Sequence, residues 1–133
     1  MGNRNVDVVK DCYQAFLAGD IERLLRALSA DVAWEHVGRA SDLPTFAPFH
    51  GVEGVRKFFG VVAETLDFQK FTLGEFHGSG DLVFAMGDFK ATMKKTGKSA
   101  ASEWLHVFWL KDGRVTRFLE FTDTAKFAEA WRT

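Results

Sequence analysis

SEWLHVFWLKDGRVTRFLEFTD, residues 102 to 123, reads as two β-strands joined by a tight turn at Lys111-Asp112-Gly113. Side chains alternate across a strand, so Trp104, His106 and Phe108 share one face of the first strand. Glu103, Leu105, Val107 and Trp109 share the other. On the second strand Phe118, Glu120 and Thr122 lie on one face, and Arg117, Leu119, Phe121 and Asp123 on its reverse. If the His106 and Glu120 faces coincide, an imidazole and a carboxylate project side by side among aromatic rings. Burying such a pair costs free energy unless it is hydrogen-bonded or employed. That pair is the leading candidate for chemistry.

Upstream, the hairpin has two more strands in front of it, near 81–94 and 68–77. The turns Lys95-Thr96-Gly97-Lys98 and Gly78-Ser79-Gly80-Asp81 separate them. Before these, Gly51 opens a helix whose Val52, Val55, Phe58, Phe59, Val62 and Leu66 recur at helical spacing. Residues 38–51, GRASDLPTFAPFHG, hold both prolines and no periodicity; this loop offers Phe46, Phe49 and His50 as a lid over a pocket. Residues 31–37 read as a short strand with Val32, Trp34 and His36 on one face. The chain starts with two helices punctuated by Gly19-Asp20, a stop followed by a cap. Asn3 or Asn5 caps the first, and the second carries Ile21, Leu24, Leu25 and Leu28. Asp123 can cap a last helix with Phe127, Ala128 and Trp131. Helices first and an antiparallel meander later describe an α+β domain, with helices on one face of a curved sheet.

At 133 residues the chain is one domain, 1–133, with 47% hydrophobic and 26% charged residues. Fourteen Phe and four Trp stand against a single Tyr. So many rings without hydroxyls imply a large core, an apolar pocket or a buried subunit interface. A net charge of −1 and the absence of a basic block exclude a nucleic-acid or anionic-membrane partner by charge. The lone Cys12 excludes an internal disulfide framework. No apolar run approaches the ~20 residues of a membrane span. MGNRNVDVVK has no signal-like apolar core, so the expected location is the cytoplasm.

The same order of elements, with YQAFLAGD, SADVAWEHV, FHGVEGVRKFF and HVFWLKDGRVTRFLEFTD, resembles the nuclear-transport-factor-2-like superfamily. More narrowly it is similar to SnoaL-like proteins, relatives of polyketide cyclases and ketosteroid isomerase. The resemblance implies a cone of bent, mainly antiparallel sheet packed against N-terminal helices, with a pocket inside and frequent dimerisation through the sheet. In the cyclases a histidine and an acid on adjacent strands flank the reacting carbon, and His106 and Glu120 stand at those positions. The isomerase base falls at His36, its oxyanion acid at His106 and its oxyanion tyrosine at Cys12, which argues against steroid isomerisation. Of the acid and arginine set of the related epoxide hydrolases, one acid matches Glu120, whereas the other positions hold Gly87 and Phe89.

The expected site therefore has Glu120 as base or acid, with a pKa raised by burial. His106 is its partner and His36 a second proton relay. Trp34, Trp104, Phe108, Phe118, Gly87, Phe89 and His50 are the expected substrate-binding residues, around a small, largely apolar carbonyl compound. Plainer readings exist: Glu120 salt-bridged or at the cone mouth, His106 a satisfied core residue, His36 meeting solvent. No H-x-H or H-x-x-E-H spacing occurs, so neither a metal nor another cofactor is expected. The outer face bearing Leu105, Val107, Trp109 and Leu119 needs a cover, and a two-fold partner is the expected one. Isomerisation, cyclisation or an aldol-type step is the leading chemistry. A non-catalytic ligand-binding domain, or a cofactor-free hydrolase or dehydratase, is the alternative.

Overall fold

The Asn3 side chain accepts hydrogen bonds from the backbone N–H groups of Asn5 and Val6 and starts helix α1, Arg4–Leu17. The computed structural model describes residues 3–132. Gly19, at φ 74°, turns the chain out of α1 in a conformation that other residues rarely adopt. The Asp20 carboxylate then accepts from the Arg23 N–H and caps α2, Ile21–Leu25.

Leu28, expected on α2, instead opens strand β1, Leu28–His36, three residues earlier than the sequence suggested. The Ala27 carbonyl accepts from the Val115 N–H, so the sheet captures the chain before another helical turn can form. An apolar residue one turn beyond Leu24 and Leu25 suits either fate, since both bury it. A 3-10 turn over Pro44–Phe46 and the two-residue strand β2, Phe49–His50, lead into α3, Gly51–Thr65. Strand β3, Leu66–Ser79, follows α3 with no loop between, and is longer than the expected 68–77. Then come β4 (Leu82–Met93), β5 (Ser99–Lys111), β6 (Arg114–Phe121) and α4 (Thr124–Trp131).

The strands form one unclosed sheet in the order β2-β1-β6-β5-β4-β3, in which only β1 and β6 run parallel. Register shifts between Phe68 and Lys70 and between Leu73 and Phe76 add unpaired residues to β3 and bend it around the concave side. This is the expected α+β cone. Register sets the inner face in rows. His36, Glu120, His106 and Ala85 lie side by side across β1, β6, β5 and β4. Trp34, Phe118, Phe108 and Val83 form the adjoining row. Val9 and Tyr13 from α1, Leu24 from α2, Val55 and Phe58 from α3 and Phe127 from α4 close over these rows. Among the described residues no helix is long and apolar enough to cross a membrane.

Candidate functional site

Period-two alternation and in-register pairing bring His106 opposite Glu120, both facing into the cone. The parallel pairing of β1 brings His36 opposite Glu120 from the other side. One carboxylate thus lies between two imidazoles. His106 Nε2 is 2.6 Å from Glu120 Oε2, and His36 Nε2 is 3.8 Å from Oε1. On its far side His106 meets α1: Tyr13 Oη is 2.5 Å from His106 Nδ1.

Hydrogen-bond chemistry orders this chain. An ionised Glu120 only accepts, so His106 Nε2 carries the proton and donates to it. In the neutral ring Nδ1 is then a lone pair, and the Tyr13 hydroxyl donates to it. The relay runs Tyr13 O–H to His106 to Glu120, with a carboxylate orienting an imidazole that faces a hydroxyl. Trp104 stacks on His106 at 4.1 Å between centroids and fixes the plane of the ring.

The charges follow from these neighbours. Burial acts to raise the Glu120 pKa, but the opposing pull of His36 and the hydrogen bond and charge of His106 hold it below the ordinary carboxylate value. The raised value expected from the sequence is therefore corrected: apolar surroundings alone were considered, and two imidazoles reverse their effect. His36 is lowered, chiefly by burial and despite the carboxylate, and is neutral at pH 7. Its Nδ1 is buried without a partner, as is Trp34 Nε1. Tyr13 is raised well above its usual value by burial, the Glu120 charge and Cys12, and stays protonated. Burial pushes the Cys12 thiol up to about 12, so this side chain acts as a small apolar group.

Tyr13, His36, His106 and Glu120 all border a cavity of about 90 Å³ whose remaining walls include Trp34, Phe108 and Phe118. A second hollow of about 50 Å³ also borders His36 and Glu120 and reaches Thr45, Phe46, Phe89, Thr122 and Phe127. Of the expected binding residues, Trp34, Phe108 and Phe118 thus line the larger space and Phe89 the smaller. Trp104 lies behind His106 as its support. Gly87 lies beneath the Trp104 ring, where a Cβ would come within 2.3 Å of Cζ2. His50 is exposed at the end of β2, next to the start of α3, and borders neither hollow. Phe49 packs on Phe58 and Phe46 on Phe127, so the loop does cover the cone, without His50. Among the described residues no cluster of His, Cys, Asp and Glu is arranged to hold a metal ion.

Tyr13 is not among the site residues expected from the sequence, where the resemblance puts Cys12 at the oxyanion position. Both residues are buried and line the cavity. The signal for Tyr13 was present in composition: it is the single tyrosine among fourteen phenylalanines, and a buried hydroxyl needs a partner.

The α+β cone is the fold of the SnoaL-like class. Residues 9–118 match the SnoaL-like domain family, and the chain belongs to it. No curated protein matches the sequence. Among solved structures, an NTF2-like protein of unknown function from Burkholderia pseudomallei is 27% identical, with a TM-score of 0.89 over 99% of this chain and 100% of that one. TerC, co-crystallised with polyporic acid, is 25% identical, with a TM-score of 0.85 over 98% of this chain and all of that one. Bal32a, from a soil-derived mobile gene cassette, is 28% identical, with a TM-score of 0.78 over 97% of each chain. More distant structures of the same shape carry polyketide-cyclase and isomerase labels.

Proposed function

We propose that this single domain moves a proton at a carbon next to a carbonyl, in a small and largely apolar substrate. The observation behind this reading is the Tyr13–His106–Glu120 chain on the wall of an aromatic cavity. Glu120 is ionised at neutral pH and its Oε1 makes no hydrogen bond with His106, so it can accept the substrate's α-proton. A carboxylate serves as such a base when the developing enolate oxygen is hydrogen-bonded.

The relay supplies that donor. Glu120 keeps the proton it has taken, and His106 stays neutral, with Nε2–H on the Glu120 carboxyl. Tyr13 Oη borders the same cavity, so its hydroxyl hydrogen turns from His106 Nδ1 to the developing enolate oxygen. Charge moves only among groups already in place, in a site that rings keep dry. His36 Nε2–H faces Oε1 and steadies the carboxylate between turnovers. Return of the proton to a different carbon gives an isomerase. Attack of the enolate on a second carbonyl gives a cyclase or aldol-type product. No step requires a cofactor.

Both Glu120 and His106 border the cavity, which favours catalysis over ligand binding alone. The co-crystallisation of TerC with polyporic acid supports a small organic ligand. The setting in this reading is cytoplasmic, and the protein is a homodimer through the outer face of the sheet. Deuterium exchange at the α-carbon of a panel of enolisable ketones tests the chemistry. Glu120→Gln and His106→Ala are each expected to slow exchange roughly 10²–10⁴-fold. Rates that follow neither substitution reject it.

A further inference from the structure

Two hollows, of about 90 and about 50 Å³, share a stretch of wall made by His36, Glu120, Phe58, Val62, Phe68 and Phe71, in which His36 and Glu120 are the polar residues. The carboxylate proposed as the base therefore borders both spaces. We infer that the site takes two-armed ketones: a ring beside the carbonyl in the larger hollow, the reacting carbon at Glu120, and a short alkyl arm in the smaller one. This rests on the proton-transfer reading of Glu120 and adds the substrate's shape to it.

The smaller hollow has its own walls. Phe46 meets Phe127 edge-on, and Phe127 stacks on Phe89 at 5.2 Å, giving a stiff end to the space. Thr45, from the 3-10 turn, and Thr122, just past β6, complete it. A space about half the size of the other, closed by rings, accepts a few carbons and rejects a second aromatic ring. Thr45 and Thr122 are thus specificity-determining residues.

The test is α-carbon deuterium exchange and binding, the latter by Trp34-sensitive fluorescence, along acetophenone, propiophenone and butyrophenone. These differ only in the alkyl arm. In the wild type kcat/KM and affinity are expected to climb about fourfold per added carbon, the value of a buried methylene. Thr122→Phe, which fills the smaller hollow, is expected to flatten the climb, so that propiophenone and butyrophenone gain nothing over acetophenone. Thr45→Met does the same from the opposite wall, should Thr122→Phe prove unfolded by circular dichroism. A flat series in the wild type, or the same climb in a folded variant, overturns the two-armed site. Affinity that climbs with no exchange by the wild type would leave the two-armed site standing and remove the proton-transfer reading instead.

Discussion

The Tyr13 hydroxyl and the His106 imidazole meet at 2.5 Å, joining the first helix to the fifth strand inside an otherwise apolar wall. Tyr13 is the single tyrosine of the chain, so tyrosinate absorbance reports on it alone. Its folded pKa is raised well above 10.0, by burial first and by Glu120 and Cys12 after it. The sign follows: stability is fully present below pH 10 and is lost as pH rises, because only the unfolded chain ionises there. A spectrophotometric titration should show no tyrosinate at pH 10 while circular dichroism stays native, with absorbance and unfolding then rising together. Half-ionisation near pH 10 in folded protein would contradict the relay. Tyr13→Phe should cost about 1 kcal/mol in urea unfolding, and about 10²–10³-fold in exchange rate if the phenol holds the enolate oxygen.

His36 predicts the acid side. Its folded pKa lies below 6.5, mainly through burial, whereas the unfolded chain titrates near that value. Below about pH 6.5 the unfolded state binds a proton that the native state refuses, so stability falls with pH, by up to about 1.4 kcal/mol per unit. Glu120 adds a second loss below pH 4.5, where its depressed pKa makes the unfolded chain the better proton acceptor. Thermal unfolding from pH 7.5 to 5 should show Tm falling in the wild type and a shallower fall in His36→Gln. Equal slopes for the two proteins would show that His36 is not the group responsible.

The hairpin over residues 102–123 was readable because a period of two, unbroken on both sides of one turn, fixes which side chains share a face. That alone put His106 and Glu120 together. What lay outside the reading depended on distant partners. His36 is expected as a second relay through the family resemblance, but the parallel pairing that brings it to Glu120 joins residues 84 positions apart in the chain (His36 and Glu120), and no local pattern announces it. The carboxylate's pKa was consequently given the wrong direction. Cys12 and Tyr13 are consecutive on a helix, about 100° apart, and both are buried; periodicity does not choose which of them meets a strand. His50 was placed over the pocket because loops often carry function, yet the two-residue strand it ends turns it outward.

The outer face of the sheet carries the prediction about assembly. Phe84, Val107 and Leu119 stand in one row and Met86, Leu105 and Phe121 in the next. Phe121 is 41% and Met86 36% exposed. An apolar surface continuous over three strands is covered in a stable protein, and a second copy offers a self-complementary cover. Sedimentation should give a dimer for the wild type and a monomer for Phe121→Glu with Met86→Lys. A wild-type monomer at tens of micromolar would remove the dimer from the proposal.

Gly87 sits opposite Trp104 on neighbouring strands, and the bend of β3 brings the Thr72 carbonyl over it. A Cβ built there would lie 2.1 Å from Thr72 O and 2.3 Å from the Trp104 ring. Neither neighbour yields easily: one is backbone held in a sheet, and the other is wedged against His106 and Phe71. Gly87→Ala must therefore open the β3–β4 ladder or push Trp104 into His106, and overpacking of this kind costs about 3 kcal/mol. Urea unfolding should show that loss at an unchanged slope, and exchange activity should fall with it because the imidazole plane shifts. Adding Trp104→Phe relieves the ring contact but not the one with the carbonyl, so the double variant should recover only part of the loss. A Gly87→Ala protein within about 1 kcal/mol of the wild type would show that the sheet is less tightly bent at this point than its geometry requires.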